Sequence, residues 1–126
     1  MSTSGRMHGC TISRTESGLR AVVSARRADD VQNCYQAIAA HCVLQPCTRV
    51  LVIGHSISDA FVHLAGRDAL RSLALAGVAA DFRLALVAAT PDLIAIYDTA
   101  VLEAARLGIR ARRFTSEDDA VCWLAS

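Results

Sequence analysis

Runs of apolar residues divide the chain into short strands and longer helices. Two such runs, 9–15 and 19–25, flank a turn that ends in Gly18, and they predict a β-hairpin with glycine where a positive φ is needed. Residues 29–44 have apolar side chains at helical spacing and begin with two aspartates, whose carboxylates suit a helix N-terminus. The chain is therefore predicted to open with a hairpin followed by a helix.

Two later runs, 49–53 and 82–88, are continuously apolar, which is typical of strands buried on both faces. Between them, residues 68–76 favour a helix that stops at Gly77. Residues 55–67 are ambiguous, because a helix could begin there but a glycine interrupts it.

The last third of the chain predicts a helix, an edge strand and a short terminal helix. Thr90 is a suitable N-cap, Pro91 suits the first helical position, and Gly108 marks the end of this helix. Residues 109–114 alternate as an edge strand does. Ser116 begins an acidic sequence that resembles a capping box.

The predicted order of elements is β-β-α-β-α-β-α-β-α. Strands that alternate with helices indicate parallel strands with helices on the sheet faces, and the opening hairpin makes the sheet mixed. We therefore predict an α/β fold with about five strands and about four helices in a single domain, residues 8–126. Residues 1–7 are polar and small, and they are predicted to be a flexible N-terminal tail.

Composition narrows the function classes. The 126 residues are 53% hydrophobic with a net charge of +1, which excludes a disordered chain and argues against a nucleic-acid partner. No apolar stretch is long enough to predict a membrane span. All 13 cations are Arg, so Schiff-base and P-loop lysine chemistry are excluded. A cluster of three arginines favours a solvated strand edge over an anion site: Arg110, Arg112 and Arg113.

The five cysteines and the absence of an apolar leader predict a reduced, cytoplasmic protein. Cys34 and Cys42 fall on the apolar stripe of the first helix, where structural cysteines belong. His41 and Cys47 lie close to Cys42 in sequence, but the chain has no C-x-x-C pattern, so a metal or redox role is not favoured. No metal and no cofactor is predicted.

The element order over residues 8–125 resembles that of STAS-domain proteins of the SpoIIAA-like group. The resemblance rests on the hairpin and acidic helix start, on residues 82–100, and on residues 109–124, where a strand ends in Phe and a short helix ends in Trp-Leu. It implies a SpoIIAA-like fold and a small, non-enzymatic regulatory or binding domain, often dimeric. A regulatory protein and a second copy of the chain are the partners that it implies.

In the anti-sigma-factor antagonists of this superfamily, a serine is phosphorylated at the start of the helix after the central strand. The matching stretch is residues 50–59, in which Ser56 and Ser58 are the candidate phosphoacceptors. A phosphate there would meet free N–H groups at a helix N-terminus. The alternative is that Ser58 or Asp59 is simply the helix N-cap.

The same stretch contains the predicted ligand or partner loop, which begins at Gly54 and His55. His55, Asp59 and His63 lie four residues apart, so a single helix would place them on one face, where they could hold a metal. The pattern lacks the glutamate of a zinc-protease helix, and a metal role is not favoured. We predict a non-enzymatic regulatory or binding module. The alternatives are a phosphoswitch at Ser56 or Ser58, and a small-molecule or lipid binder with a pocket between helices and sheet.

Overall fold

The computed structural model describes residues 5–7, 9–24, 28–44, 47–55, 71 and 81–126. The predicted helix 68–76, apart from residue 71, lies outside these residues. The described elements follow in chain order: β1 (Gly5–Met7), β2 (Cys10–Thr15), β3 (Gly18–Val23), α1 (Ala28–Leu44), β4 (Arg49–Gly54), β5 (Arg83–Ala88), α2 (Asp92–Arg106), β6 (Arg110–Phe114) and α3 (Glu117–Ala125).

The six described strands form one mixed sheet in the order β1-β2-β3-β4-β5-β6. β1, β2 and β3 pair in antiparallel fashion, whereas β3 to β6 are parallel. The α/β class, the opening hairpin and the parallel strands after it are therefore confirmed. β6 lies at the edge of the sheet, as its alternating pattern predicts.

The strand β1 differs from the prediction of a loose tail over residues 1–7. Residues 5–7 pair with β2, with Gly5 opposite Ile12 and Met7 opposite Cys10. The prediction rested on the lack of an apolar pattern. Pairing along the outer edge of β2 needs only backbone N–H and C=O groups, so a polar segment can supply it.

Gly18 is required by both its conformation and its surroundings. Its φ is 122°, in the region that favours glycine, as the hairpin prediction expects. A Cβ at this position would also overlap the backbone oxygen of Arg49. The turn between β2 and β3 thus lies directly against the start of β4.

One face of the sheet packs against α1 and α2. Alternate residues of each strand point to this face, because successive side chains of a strand alternate between its two sides. The largest side chains that are fully buried there are Ile12, Leu19, Ile38, Leu84, Leu86, Leu93 and Phe82. We call this the α1/α2 face.

The opposite face packs against α3, and we call it the α3 face. Its buried residues are Leu51, Ile53, Ala85, Val87, Ala120 and Leu124. Phe114 and Trp123 lie beside them, with ring centroids 5.7 Å apart. The short terminal helix is confirmed, and it packs one face against this apolar cluster.

Arginines at the starts of the parallel strands contact the C-terminal end of α3. Arg49 and Arg83 occupy the same register on β4 and β5. Nε of Arg49 donates to the carbonyl oxygen of Leu124 (2.8 Å), and Nη1 of Arg83 donates to those of Trp123 and Ser126 (both 2.7 Å). The last carbonyls of a helix have no partner within the helix, so these guanidinium groups supply the missing donors and complement the helix dipole.

The N-terminal end of α3 is also held by side chains. Ser116 accepts a hydrogen bond from the backbone N–H of Asp119 (3.4 Å), as the capping-box pattern predicts. Arg20 on β3 donates twice to the carboxylate of Glu117, at 2.9 and 3.1 Å. Both ends of α3 therefore contact arginines of the sheet.

A disulfide joins Cys10 of β2 to Cys34 of α1 beneath the α1/α2 face. The prediction that all five cysteines are reduced is wrong for this pair. Cys34 does lie on the apolar stripe of α1, as predicted, and that stripe packs against the side of β2 from which Cys10 points. Both residues are therefore buried at the same place in the core.

Candidate functional site

The predicted loop is described only at its start. Gly54 is the last residue of β4, and His55 follows it as an exposed residue. The candidate phosphoacceptors Ser56 and Ser58, together with Asp59 and His63, lie outside the described residues. Their roles stay predictions.

Three segments are joined by hydrogen bonds at the start of this loop. The N–H of His55 donates to the carbonyl of Val23 (2.9 Å), and the N–H of Ala89 donates to the carbonyl of Gly54 (2.9 Å). These bonds continue the parallel pairing of β3, β4 and β5 by one residue. The backbone of His55 is thus fixed at the carboxyl edge of the parallel strands.

The residues around Gly54, at this edge of the sheet, are closely packed. A Cβ at Gly54 would overlap the hydroxyl of Tyr97 and contact Leu93, both on α2. Tyr97 and Tyr35 are buried, and burial raises the pKa of both phenols. Both phenols therefore stay neutral at neutral pH, and Tyr97 fills the space beside Gly54 without adding charge.

Thr90 differs from its predicted role as the N-cap of the helix after β5. Pro91 occupies the cap position, and no side chain caps α2 there. The Thr90 hydroxyl oxygen is buried and has no hydrogen-bond partner in the part of the chain that the structure describes.

A second candidate site lies at the opposite end of β4. Cys42, in the last turn of α1, and Cys47, just before β4, have free and half-buried thiols. Sγ of Cys47 donates to the carbonyl oxygen of Arg49 at 3.1 Å.

The pKa values of the two thiols are shifted in opposite directions. The hydrogen bond from Cys42 and the backbone hydrogen bonds from Arg49 and Leu19 lower the pKa of Cys47 to about 5, against the opposing effect of burial. The guanidinium of Arg14 adds a smaller effect of the same sign. The same hydrogen bond, with burial, raises the pKa of Cys42.

Arg14 of β2 connects this cluster to α1. Its Nη2 donates to the carbonyl oxygen of His41 at 3.1 Å, in the last turn of the helix. The sequence gives no signal for this contact, because 27 residues separate the two partners. Among the described residues, no group of three His, Cys, Asp or Glu side chains is arranged to hold a metal.

Two of the three arginines on β6, Arg112 and Arg113, contact neighbouring side chains. Nε of Arg113 donates to a carboxylate oxygen of Asp98 at 2.9 Å, and the guanidinium carbon of Arg112 lies 5.4 Å from the centroid of Phe114. Arg110 is exposed. These contacts agree with a partly solvated edge strand.

Within the described part of the chain, no helix is both long and apolar enough to cross a membrane. Comparison with known proteins found no matching family model, no matching curated protein and no matching solved structure.

Proposed function

We propose that the chain is a non-enzymatic regulatory module that binds a partner protein through the loop beginning at Gly54 and His55. The observation behind the proposal is the placement of His55. This exposed residue follows a strand that is buried from Val50 to Gly54, and its backbone is hydrogen-bonded to the end of β3. Binding residues commonly follow the ends of rigid, buried elements in this way.

Two further points support this proposal. The mixed sheet with an opening hairpin is compatible with the resemblance to SpoIIAA-like STAS domains, whose implied role is regulatory binding. The loop also leaves the sheet at the carboxyl edge of the parallel strands, where hydrogen bonds of His55 and Gly54 join β4 to β3 and β5. A SpoIIAA-like fold is part of the same proposal.

Site-specific photo-cross-linking tests the proposal. A photoreactive phenylalanine analogue replaces His55 in one variant and the exposed Asp118 of α3 in a control, each in cells that make the protein naturally. We expect one discrete protein adduct from position 55 and none from position 118. Identical adducts at both positions, or none at position 55, would overturn the proposal.

The captured protein then permits a quantitative test. It is purified and titrated against the unmodified chain, against His55→Ala and against Asp118→Ala. We expect His55→Ala to weaken binding by about tenfold, the effect of losing one central interface residue worth about 1.4 kcal/mol. Equal affinity of the two variants would assign binding to another surface.

A small-molecule binder is the second candidate, and the buried Thr90 hydroxyl favours it. A hydroxyl without a partner costs free energy that a bound polar group could offset. Native mass spectrometry of the purified chain should then show a co-purified molecule that Thr90→Val fails to retain. A ligand-free spectrum for both proteins would remove this candidate.

A further inference from the structure

The strand β6 lies at one edge of the sheet. One of its sides pairs with β5, and no strand among the described residues pairs with the other side. The free side of an edge strand presents unpaired backbone N–H and C=O groups. An extended segment of another protein can bind to such groups by adding to the sheet as a further strand.

Two arginines of β6 lie along this edge on the α3 face. Arg112 pairs in register with Ala85 of β5, whose side chain belongs to the α3 face. Arg110 lies two residues earlier in the strand and therefore points to the same face. Both arginines are exposed. A strand added at this edge would thus lie beside two cationic side chains.

The positive charge of these two arginines is not neutralised within the described part of the chain, where no salt bridge includes Arg110 or Arg112. The guanidinium of Arg112 lies 5.4 Å from the centroid of the Phe114 ring, which supports this group without removing its charge. On the opposite face, Arg113 already donates to a carboxylate oxygen of Asp98. The available charge of the strand is therefore on the α3 face.

The same charges disfavour a second copy of the chain at this edge. If β6 paired in antiparallel fashion with β6 of another copy, and all five residues were matched, Arg112 would lie opposite the Arg112 of that copy. A shift of two residues would place Arg110 opposite Arg112 in one direction, and Arg113 opposite Arg113 in the other. Like charges directly opposite each other destabilise a strand pair, whereas opposite charges stabilise it. The edge is therefore suited to a strand that carries carboxylates.

We propose that the free side of β6 binds an extended acidic segment of another protein, which adds as a seventh strand with carboxylates opposite Arg110 and Arg112. Neighbouring side chains on one face of a strand are two residues apart, so the segment has Asp or Glu at alternate positions. Each guanidinium can bind a carboxylate through two parallel hydrogen bonds. This surface is separate from the loop at His55, which follows β4, two strands away.

A peptide titration followed by amide NMR tests the proposal on the intact chain. The probe is a seven-residue peptide in which threonine and glutamate alternate, and the control has the same composition with its glutamates three residues apart. A strand places successive glutamates of the control on opposite faces, so they cannot face both arginines. We expect the amide signals of residues 110–114 to shift, and the alternating peptide to bind at least about threefold more tightly.

Three results of this titration would overturn the proposal. The first is equal affinity of the two peptides, and the second is the absence of shifts in residues 110–114. The third is a dimer of the free chain whose interface signals lie in residues 110–114, because the edge would then belong to a second copy.

Two substitutions of equal charge distinguish a specific contact from general electrostatic attraction. Arg110→Gln and Gln36→Glu each lower the net charge by one, but Gln36 is an exposed residue of α1, which packs against β2 and β3. We expect Arg110→Gln to weaken binding of the alternating peptide about threefold, and Gln36→Glu to change it by less than about 1.5-fold. Equal effects of the two substitutions would assign binding to net charge and refute the proposal.

Reversal of both charges changes the sign of the expected preference. The double variant Arg110→Glu and Arg112→Glu keeps the strand edge but presents carboxylates in place of guanidinium groups. We expect it to bind a peptide of alternating threonine and lysine more tightly than the glutamate peptide, whereas the wild type prefers the glutamate peptide. Circular dichroism verifies that the variant is folded. Any other order of the two affinities in the folded variant would contradict the proposal.

Discussion

The two faces of the sheet are covered by helices of different length, and they are stabilised in different ways. On the α1/α2 face, helices of 17 and 15 residues pack against a large apolar cluster that includes a buried disulfide. On the α3 face, the described helix has nine residues, and it packs against a cluster with fewer members among the residues that the structure describes. There, arginines of three strands contact both ends of the helix.

The magnitudes explain this difference. A fully buried leucine contributes about 1.5–3 kcal/mol, and α3 supplies one such side chain, Leu124, together with a buried alanine. A hydrogen bond from a charged group contributes about 1.5–3 kcal/mol. On the α3 face, polar contacts are thus comparable in size with apolar burial, whereas on the α1/α2 face burial dominates. A helix that is too short for a full apolar stripe can still be held in position by hydrogen bonds to its two ends.

The largest expected effect is on the α1/α2 face, where the disulfide can be removed. The double substitution Cys10→Ala and Cys34→Ala should lower the free energy of unfolding by about 3 kcal/mol, because the unfolded chain loses a covalent constraint. Urea titration followed by circular dichroism measures this change. Cys122→Ala, at an exposed site, should change it by less than about 0.5 kcal/mol. A double variant as stable as the wild type would show that packing alone holds this face.

An intermediate effect is expected on the α3 face from Arg83→Ala. It removes the donor to the carbonyls of Trp123 and Ser126 and the contact of the guanidinium with the Trp123 ring, 5.5 Å from its centroid. We expect the free energy of unfolding to fall by about 2 kcal/mol. Amide hydrogen exchange should become faster in residues 117–125, and the exchange rates in α1 should stay unchanged.

The matched control for this variant is Arg110→Ala. Arg110 of β6 pairs in register with Arg83 of β5, but Arg110 is exposed. The substitution Arg110→Ala should lower the free energy of unfolding by no more than about 0.5 kcal/mol. If Arg83→Ala accelerated exchange in α1 as much as in α3, the two faces would not be stabilised separately.

The smallest expected effect concerns the ion pair at the start of α3. The side chains of Arg20 and Glu117 are 35% and 41% exposed, so a double-mutant cycle with alanine at both positions should give a coupling of only about 0.5–1 kcal/mol. A coupling above about 2 kcal/mol would mean that solvent screens the pair far less than its exposure indicates.

The pH dependence of the same pair has a definite sign. The hydrogen bond from Arg20 lowers the pKa of Glu117 below its usual value of about 4.3. The resulting stabilisation is present above that usual value and is lost as the pH falls through the lower pKa of the folded state. Thermal melts at decreasing pH should therefore show wild type losing stability more steeply than Glu117→Gln in this acidic range. Parallel curves would assign the pair no role.

Much of the fold follows from local patterns in the sequence. The apolar runs, Gly18 and the capping serine at 116 each determine their own neighbourhood, so the hairpin, four parallel strands and three described helices could be predicted. Thr90 shows the limit of such reasoning. Threonine is a suitable N-cap residue, but in the structure Pro91 occupies the N-cap position of α2.

Contacts between distant segments could not be predicted in the same way. Arg20 and Glu117 are 97 residues apart, and Cys10 and Cys34 are 24 apart. Which arginine meets which carbonyl depends on how the sheet positions α3, and no local pattern encodes that.

The strand order has a consequence for the kinetics of folding. Every neighbouring pair of described strands is also consecutive in the chain, so the sheet can grow strand by strand from the hairpin. α3 instead packs back on β4 and β5. Docking of α3 must therefore follow formation of the central sheet. Weakening its arginine contacts should accelerate unfolding while leaving the folding rate nearly unchanged.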